Sequence, residues 1–171
     1  MKLGNWPWKY DKPIRPDAPS IYGSDESYRR AAQFLDHGPM EDWGCATAYA
    51  KKFFTHPYKG IDGAPGYADI VADLREYTSF TYGILLRHVL EHNHDWRLIL
   101  DNALKSAERI CIVLFTPLSN ETHVMAINSV FQNVPDISFK LTDITDGLTV
   151  EVEHIRSDTQ YGGETLIYVA R

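Results

Sequence analysis

The segment Arg109-Ile-Cys-Ile-Val-Leu-Phe115 constrains this chain more than any other. A near-continuous apolar run of strand length suits a strand buried on both faces, and such strands sit at the centre of parallel sheets covered by helices. The surrounding pattern agrees. Residues 40–45, 58–62, 70–72 and 82–86 read as further strands. Between them lie helical patterns. Tyr28, Ala31, Phe34 and Leu35 recur at helical spacing after a Ser24 cap, and Gly38-Pro39 stops them. Residues 46–55 carry Ala50, Phe53 and Phe54 on one side, and Asp95 is expected to cap a helix whose Trp96, Ile99, Leu100, Ala103, Leu104 and Ala107 repeat at 3.6-residue spacing. Strands alternating with helices define an α/β protein with a doubly wound, mostly parallel sheet. Val150–Arg156 and Thr165–Ala170 bracket Gly162-Gly163, a signal for an antiparallel hairpin at one sheet edge. His123–Phe131 is expected as a helix, and residues 137–148 remain unassigned.

The length of 171 residues, 44% hydrophobic, matches one domain spanning 1–171. Residues 1–23, punctuated by Pro7, Pro13, Pro16 and Pro19 and by Trp6, Trp8, Tyr10 and Tyr22, read as an extended arm, either a strap or a lid. The net charge of −6 and the lack of a Lys/Arg block argue against nucleic acid as partner, because phosphate neutralisation needs a basic surface. No stretch is apolar enough for a membrane span, and Met1–Trp8 lacks a signal-peptide core. With Cys45 and Cys111 in apolar stretches, the chain reads as cytoplasmic, its thiols buried and reduced.

In an open α/β sheet, ligands bind beyond the carboxyl ends of the strands. After the first strand stands Asp42-Trp43-Gly44-Cys45-Ala46-Thr47-Ala48, a small-residue turn whose backbone N–H groups can approach a ligand closely. After the second stand Asp62, suited to the two hydroxyls of a ribose, and Gly63, which opens a turn. After the third stand Asp73 and Leu74, placed to accept an adenine amino group and to read its ring edge. After the fourth comes Arg87-His88-Val89-Leu90-Glu91-His92. Each signal alone is weak, since a strand-end Asp is often only a helix cap. Their order and spacing carry more.

Over residues 40–116 the series resembles class I S-adenosylmethionine-dependent methyltransferases of the small-molecule type. Asp42 to Ala48 is similar to the family's D-x-G-x-G-x-G loop, Tyr58–Asp62 to its second strand with the ribose-binding acid, and His88–His92 to the V-L-E-H stretch after its fourth strand. The resemblance implies a seven-stranded sheet with helices on both faces and a C-terminal antiparallel hairpin. It implies S-adenosyl-L-methionine as cofactor, held by Asp42, Trp43, Gly44, Ala46, Ala48, Asp62, Gly63, Asp73, Leu74 and Arg87. The second and third loop glycines of the family are Ala46 and Ala48 here. If either position needs a positive φ, alanine costs about 1–2 kcal/mol there.

The implied reaction is displacement at a sulfonium methyl, which needs a positioned nucleophile and a base for its proton. His88 is the first candidate base and His92 the second, with Glu91 as buried support. His88, His92 and His94 lack a further ligand at helical spacing, so no metal is assigned. The expected acceptor is a small hydroxylated or amino metabolite, with a sugar suggested by family analogy alone. A catalytically impaired cofactor-binding protein or accessory subunit is the alternative that Ala46 and Ala48 raise. A nicotinamide-dependent oxidoreductase shares the turn and the strand-end acid. The placement of Asp42, the Asp73-Leu74 pair and the tail hairpin count against it.

Overall fold

The structure, a computed structural model, describes residues 25–128 and 134–171. The N-terminal arm, the Ser24 cap and residues 129–131 of the expected helix lie outside the described residues.

Five parallel strands make up one side of the sheet: β1 (Met40–Trp43), β2 (Tyr58–Asp62), β3 (Ile70–Val71), β4 (Thr81–Arg87) and β5 (Ala107–Leu114). The tail supplies β8 (Val150–Arg156) and β9 (Gly163–Ala170), paired antiparallel around Gly162, whose φ of 77° suits a glycine turn. β9 inserts antiparallel between β5 and β8, so the sheet order is β3-β2-β1-β4-β5-β9-β8. The chain reverses its direction of winding between β1 and β4, which opens a crevice at their carboxyl ends.

Strand periodicity sorts the core into two layers. Ile84 and Leu86 of β4 and Ile110, Ile112 and Leu114 of β5 face helix α2 (Trp96–Ser106), which buries Trp96, Ile99, Leu100 and Ala103. Leu85, Cys111 and Val113 face helix α1 (Glu26–Leu35), which buries Tyr28, Ala31, Ala32 and Leu35. Most of these side chains are fully buried, each contributing about 1.5–3 kcal/mol when apolar and large. Arg87 and Glu164 stand on the α1 side and are nevertheless buried. Both cysteines are buried and free.

Two expected helices are corrected. Residues 46–55 hold only a 3-10 turn at Tyr49–Phe53. Left-handed residues at 46 and 48 use up the first part of the segment, leaving too few residues to nucleate an α-helix before the chain extends at Phe54. His123–Asn128 is a strand, β6, paired antiparallel with β7 (Val134–Ser138) in a separate two-stranded sheet. Val124 and Ile127 mimic helical spacing, an ambiguity that short apolar segments carry. β7 is buried throughout, and a short helix α3 (Leu141–Thr145) follows it. Ile137, Phe139 and Ile144 close the core on the α2 side. Asp95 does precede α2, but its side chain makes no capping bond. Among the described residues no helix is long and apolar enough to cross a membrane.

Candidate active site

The loop after β1 is built on alternating left-handed residues: Gly44 (φ 78°), Ala46 (φ 49°) and Ala48 (φ 54°). The two alanines thus occupy backbone that favours glycine. Gly44 and Cys45 donate their N–H groups to the Ile61 carbonyl at 2.7 and 3.1 Å, which clamps the loop to β2. Asp62 completes the clamp. One of its oxygens accepts the Ala46 N–H at 2.9 Å and the other the Ala64 N–H at 2.8 Å. Burial raises the Asp62 carboxyl above its ordinary range despite these donors and that of Gly63.

Asp42 lies beneath the loop, with Tyr58 donating its hydroxyl to it at 2.6 Å. Burial first, and then the nearby Asp62 charge, push Asp42 up to about 7. The structure therefore brings Asp42 and Asp62 together.

Other expected ligands have different employment. The Trp43 side chain is fully buried, its indole N–H donated to Glu41 at 2.9 Å and its ring edge-on to Tyr77. Leu74 is core, and its carbonyl accepts from Asn102. Asp73 follows β3 at the same end of the sheet, but Arg75 grips its carboxylate at 2.6–3.1 Å and holds it below the usual carboxylate range. Glu41, buried, accepts from Trp43, Tyr77 and Ser79.

Beyond β4 the chain turns at His88, whose φ of 56° is left-handed, a region that residues other than glycine visit rarely. The turn places His88 Nε2 2.7 Å from Glu164 Oε1. That same oxygen accepts Arg87 Nη2 at 2.8 Å and the Ser27 hydroxyl at 3.1 Å. Arg87 further donates to Ser27 and Tyr28, with its guanidinium over the Tyr28 ring. Expected among the cofactor contacts, the Arg87 side chain instead forms a buried ion pair. Burial opposes ionisation of Glu164, yet the His88 hydrogen bond and the Arg87 charge hold its carboxyl below the usual range. Burial and the Arg87 charge together push His88 down to about 4. The ring is neutral, Nε2 carries the proton that it donates, and Nδ1 keeps its lone pair.

Phe115 gathers the rest of this region. Its ring lies 5.1 Å from both His88 and His92, and Tyr161 of the β8–β9 turn stacks on it at 5.8 Å. The Phe115 N–H is donated to Glu91 Oε1 at 2.7 Å, so Glu91 is the buried support expected of it. Burial raises Glu91 to about 8. His92 donates Nδ1–H to the Pro135 carbonyl at 3.0 Å, which ties it to β7. Glu164, Asp136 and Phe115 were not singled out by the sequence. A lone Glu ahead of the apolar run 165–170 was the only trace of the first.

Among the described residues no group of three or more His, Cys, Asp or Glu is placed to hold a metal ion. No protein-family model and no curated protein matches the sequence. Solved structures do match. One is the N-methyltransferase NodS of Bradyrhizobium japonicum WM9 in complex with S-adenosyl-L-homocysteine, with TM-score 0.65 and 16% identity, covering 99% of this chain and 96% of that one. The N-terminal domain of EvdMO1, in the presence of S-adenosyl-L-homocysteine and D-fucose, matches with TM-score 0.59 and 13% identity, covering 99% and 92%. Magnesium protoporphyrin IX methyltransferase of Synechocystis PCC 6803 matches with TM-score 0.56 and 12% identity, covering 85% and 78%. The chain has the Rossmann-like fold of the class I methyltransferases.

The loop geometry sets an expected result for the alanines. Replacing Ala46 or Ala48 by glycine removes about 1–2 kcal/mol of left-handed strain and adds about 0.5–1 kcal/mol of backbone entropy cost. The net gain of about 0–1.5 kcal/mol should raise each melting temperature by up to about 6 °C in a calorimetric scan. A lower melting temperature for both would show that the loop carries no such strain.

Proposed function

We propose that this chain is an S-adenosylmethionine-dependent methyltransferase acting on a small hydroxylated or amino metabolite. One observation carries the reading. Asp62, at the tip of β2, bonds the backbone of the left-handed loop after β1, so a ribose-binding acid and a close-approach turn meet at the sheet's switch point. Similar folds crystallised with S-adenosyl-L-homocysteine support it.

The residues present fit this cofactor. Asp62 would accept the ribose hydroxyls, and the backbone of Gly44–Ala48 would take the methionine end. When bound, the cofactor supplies an electrophilic methyl group. The chain's own contribution is orientation. Glu164 holds His88 in the tautomer that presents a bare Nδ1, and burial keeps that nitrogen a weak base, suited to orienting an acceptor more than to deprotonating one. A sugar acceptor rests on fold analogy alone. Ala46 and Ala48 favour a second reading, a protein that binds the cofactor weakly and serves as an accessory subunit.

Calorimetry tests the assignment. S-adenosylhomocysteine should bind in the micromolar range and NAD should not bind. Asp62→Ala should weaken S-adenosylhomocysteine at least tenfold. His88→Gln should leave that affinity unchanged and slow methyl release on a metabolite panel. Full affinity in Asp62→Ala would refute the site.

A further inference from the structure

In the Phe115 region a buried carboxyl group, Asp136, meets no lysine or arginine among the described residues. Asp136 lies in β7 with only 5% of its surface exposed. Its hydrogen-bond supply is poor: the Tyr161 hydroxyl at 3.3 Å, and His92 Nδ1 at 3.4 Å, whose proton goes to the nearer Pro135 carbonyl. Arg87, the buried cation of the region, is matched by Glu164 at 2.8 Å. A buried carboxylate without a counter-charge is costly, and the cost falls when a cation enters.

The neighbouring groups do not supply that cation. Burial lowers His92 and holds its imidazole neutral. Glu91 is held up at about 8, first by burial and in part by the Asp136 charge itself. Burial and Asp136 raise the Tyr161 phenol. What stands beside Asp136 is Tyr161, whose ring stacks on Phe115, with His88 against Phe115 in turn. A carboxylate beside aromatic faces attracts an alkylammonium group electrostatically and by cation–π contact.

We propose that Asp136, Phe115 and Tyr161 form an ammonium-binding subsite, so that the acceptor is an amine. This rests on the methyltransferase reading for its chemistry, though not for its binding. An amine seated there as R–NH3+ first loses one proton to water, because His88, held down at about 4, is too weak a base to take it from an alkylammonium. The freed nitrogen lone pair forms the new N–C bond with the sulfonium methyl. The C–S bond breaks with its electron pair left on sulfur, and the products are a methylated ammonium and a thioether. A hydroxyl acceptor would bring no charge to Asp136.

The test uses two matched pairs of probes: benzylamine with benzyl alcohol, and D-glucosamine with D-glucose. Binding is read by NMR shifts of the Tyr161 and His92 rings, with and without S-adenosylhomocysteine. In the native protein each amine should bind at least tenfold more tightly than its alcohol. Asp136→Asn should abolish the difference while the S-adenosylhomocysteine affinity stays within twofold. Tyr161→Leu, which removes one ring far from the core, should weaken amine binding severalfold. Equal binding of amine and alcohol, binding of neither, or an undiminished preference in Asp136→Asn would overturn the subsite. Failure of S-adenosylhomocysteine to bind, with the amine preference intact, would instead remove the methyl-transfer reading and leave the ammonium site standing.

Discussion

Gly44→Ala should cost the protein more stability than any other single methyl added to the loop after β1. Two effects add. The backbone at residue 44 has φ 78°, where an L side chain is strained by about 1–2 kcal/mol. A Cβ there would also lie 2.5 Å from Val89 Cγ2, inside van der Waals contact with a buried side chain. Valine is stiff at χ1, so the methyl cannot swing away, and overpacking of this kind costs about 1–3 kcal/mol. The sum, about 2–5 kcal/mol, predicts a fall of about 4–20 °C in melting temperature. A double-mutant cycle separates the terms. In a Val89→Ala background the clash is gone and only the backbone cost should remain. If Gly44→Ala is equally damaging in both backgrounds, packing against Val89 is not the reason for a glycine here. The same clash joins function to fold, because Val89 follows His88 directly. A displaced Val89 would move the turn that presents the imidazole.

The strands were legible because burial on both faces leaves a local mark. Tyr58–Asp62 appears in the structure with the bounds that its residues suggest, and the Arg109–Phe115 run lies within a residue or two of β5. Asp42 and Asp62 were legible for a related reason. A residue at a strand tip inherits its position from the register, and Trp43 pairs with Ile61 next to Asp62. The side-chain partners of Trp43, Leu74 and Arg87 were not legible, because strand position fixes where a residue stands but not which neighbours its side chain meets. Arg87 alternates with Leu86, so it faces the α1 side, where Ser27, Tyr28 and Glu164 await it. Glu164 comes from 77 residues further along the chain, brought in by the antiparallel insertion of β9. No local pattern announces such a partner. Asp136 and β6–β7 were hidden in the same way, since a two-stranded sheet acquires its pairing only from the body it packs on.

That hidden partner makes Glu164 the residue whose substitution should separate stability from chemistry most cleanly. Glu164→Gln keeps the shape of the side chain and removes the charge that pairs with Arg87 at 2.8 Å in a buried setting. Breaking a buried pair from one side costs about 3–5 kcal/mol, because the remaining charge loses its compensation without regaining water. The variant should melt about 6–20 °C lower. Replacing both partners, Arg87→Met with Glu164→Met, removes the desolvation burden with the pair, and most of the loss should return. The folded double variant then isolates the effect on His88. In the native protein the carboxylate can only accept, so His88 must be protonated at Nε2 and bare at Nδ1. Nitrogen NMR of labelled histidine should show that single tautomer in the native protein and a mixture in the double variant. The imidazole proton affinity also has a sign to check. Folding depresses it to about 4 from an ordinary 6.5, so its contribution to stability is present above pH 6.5 and is lost as the pH falls toward 4. Substituting His88 by Gln should remove that acid-side slope. If the double variant stays folded and keeps the native tautomer, Glu164 serves packing alone, and the imidazole must be oriented by Phe115 and its own left-handed turn.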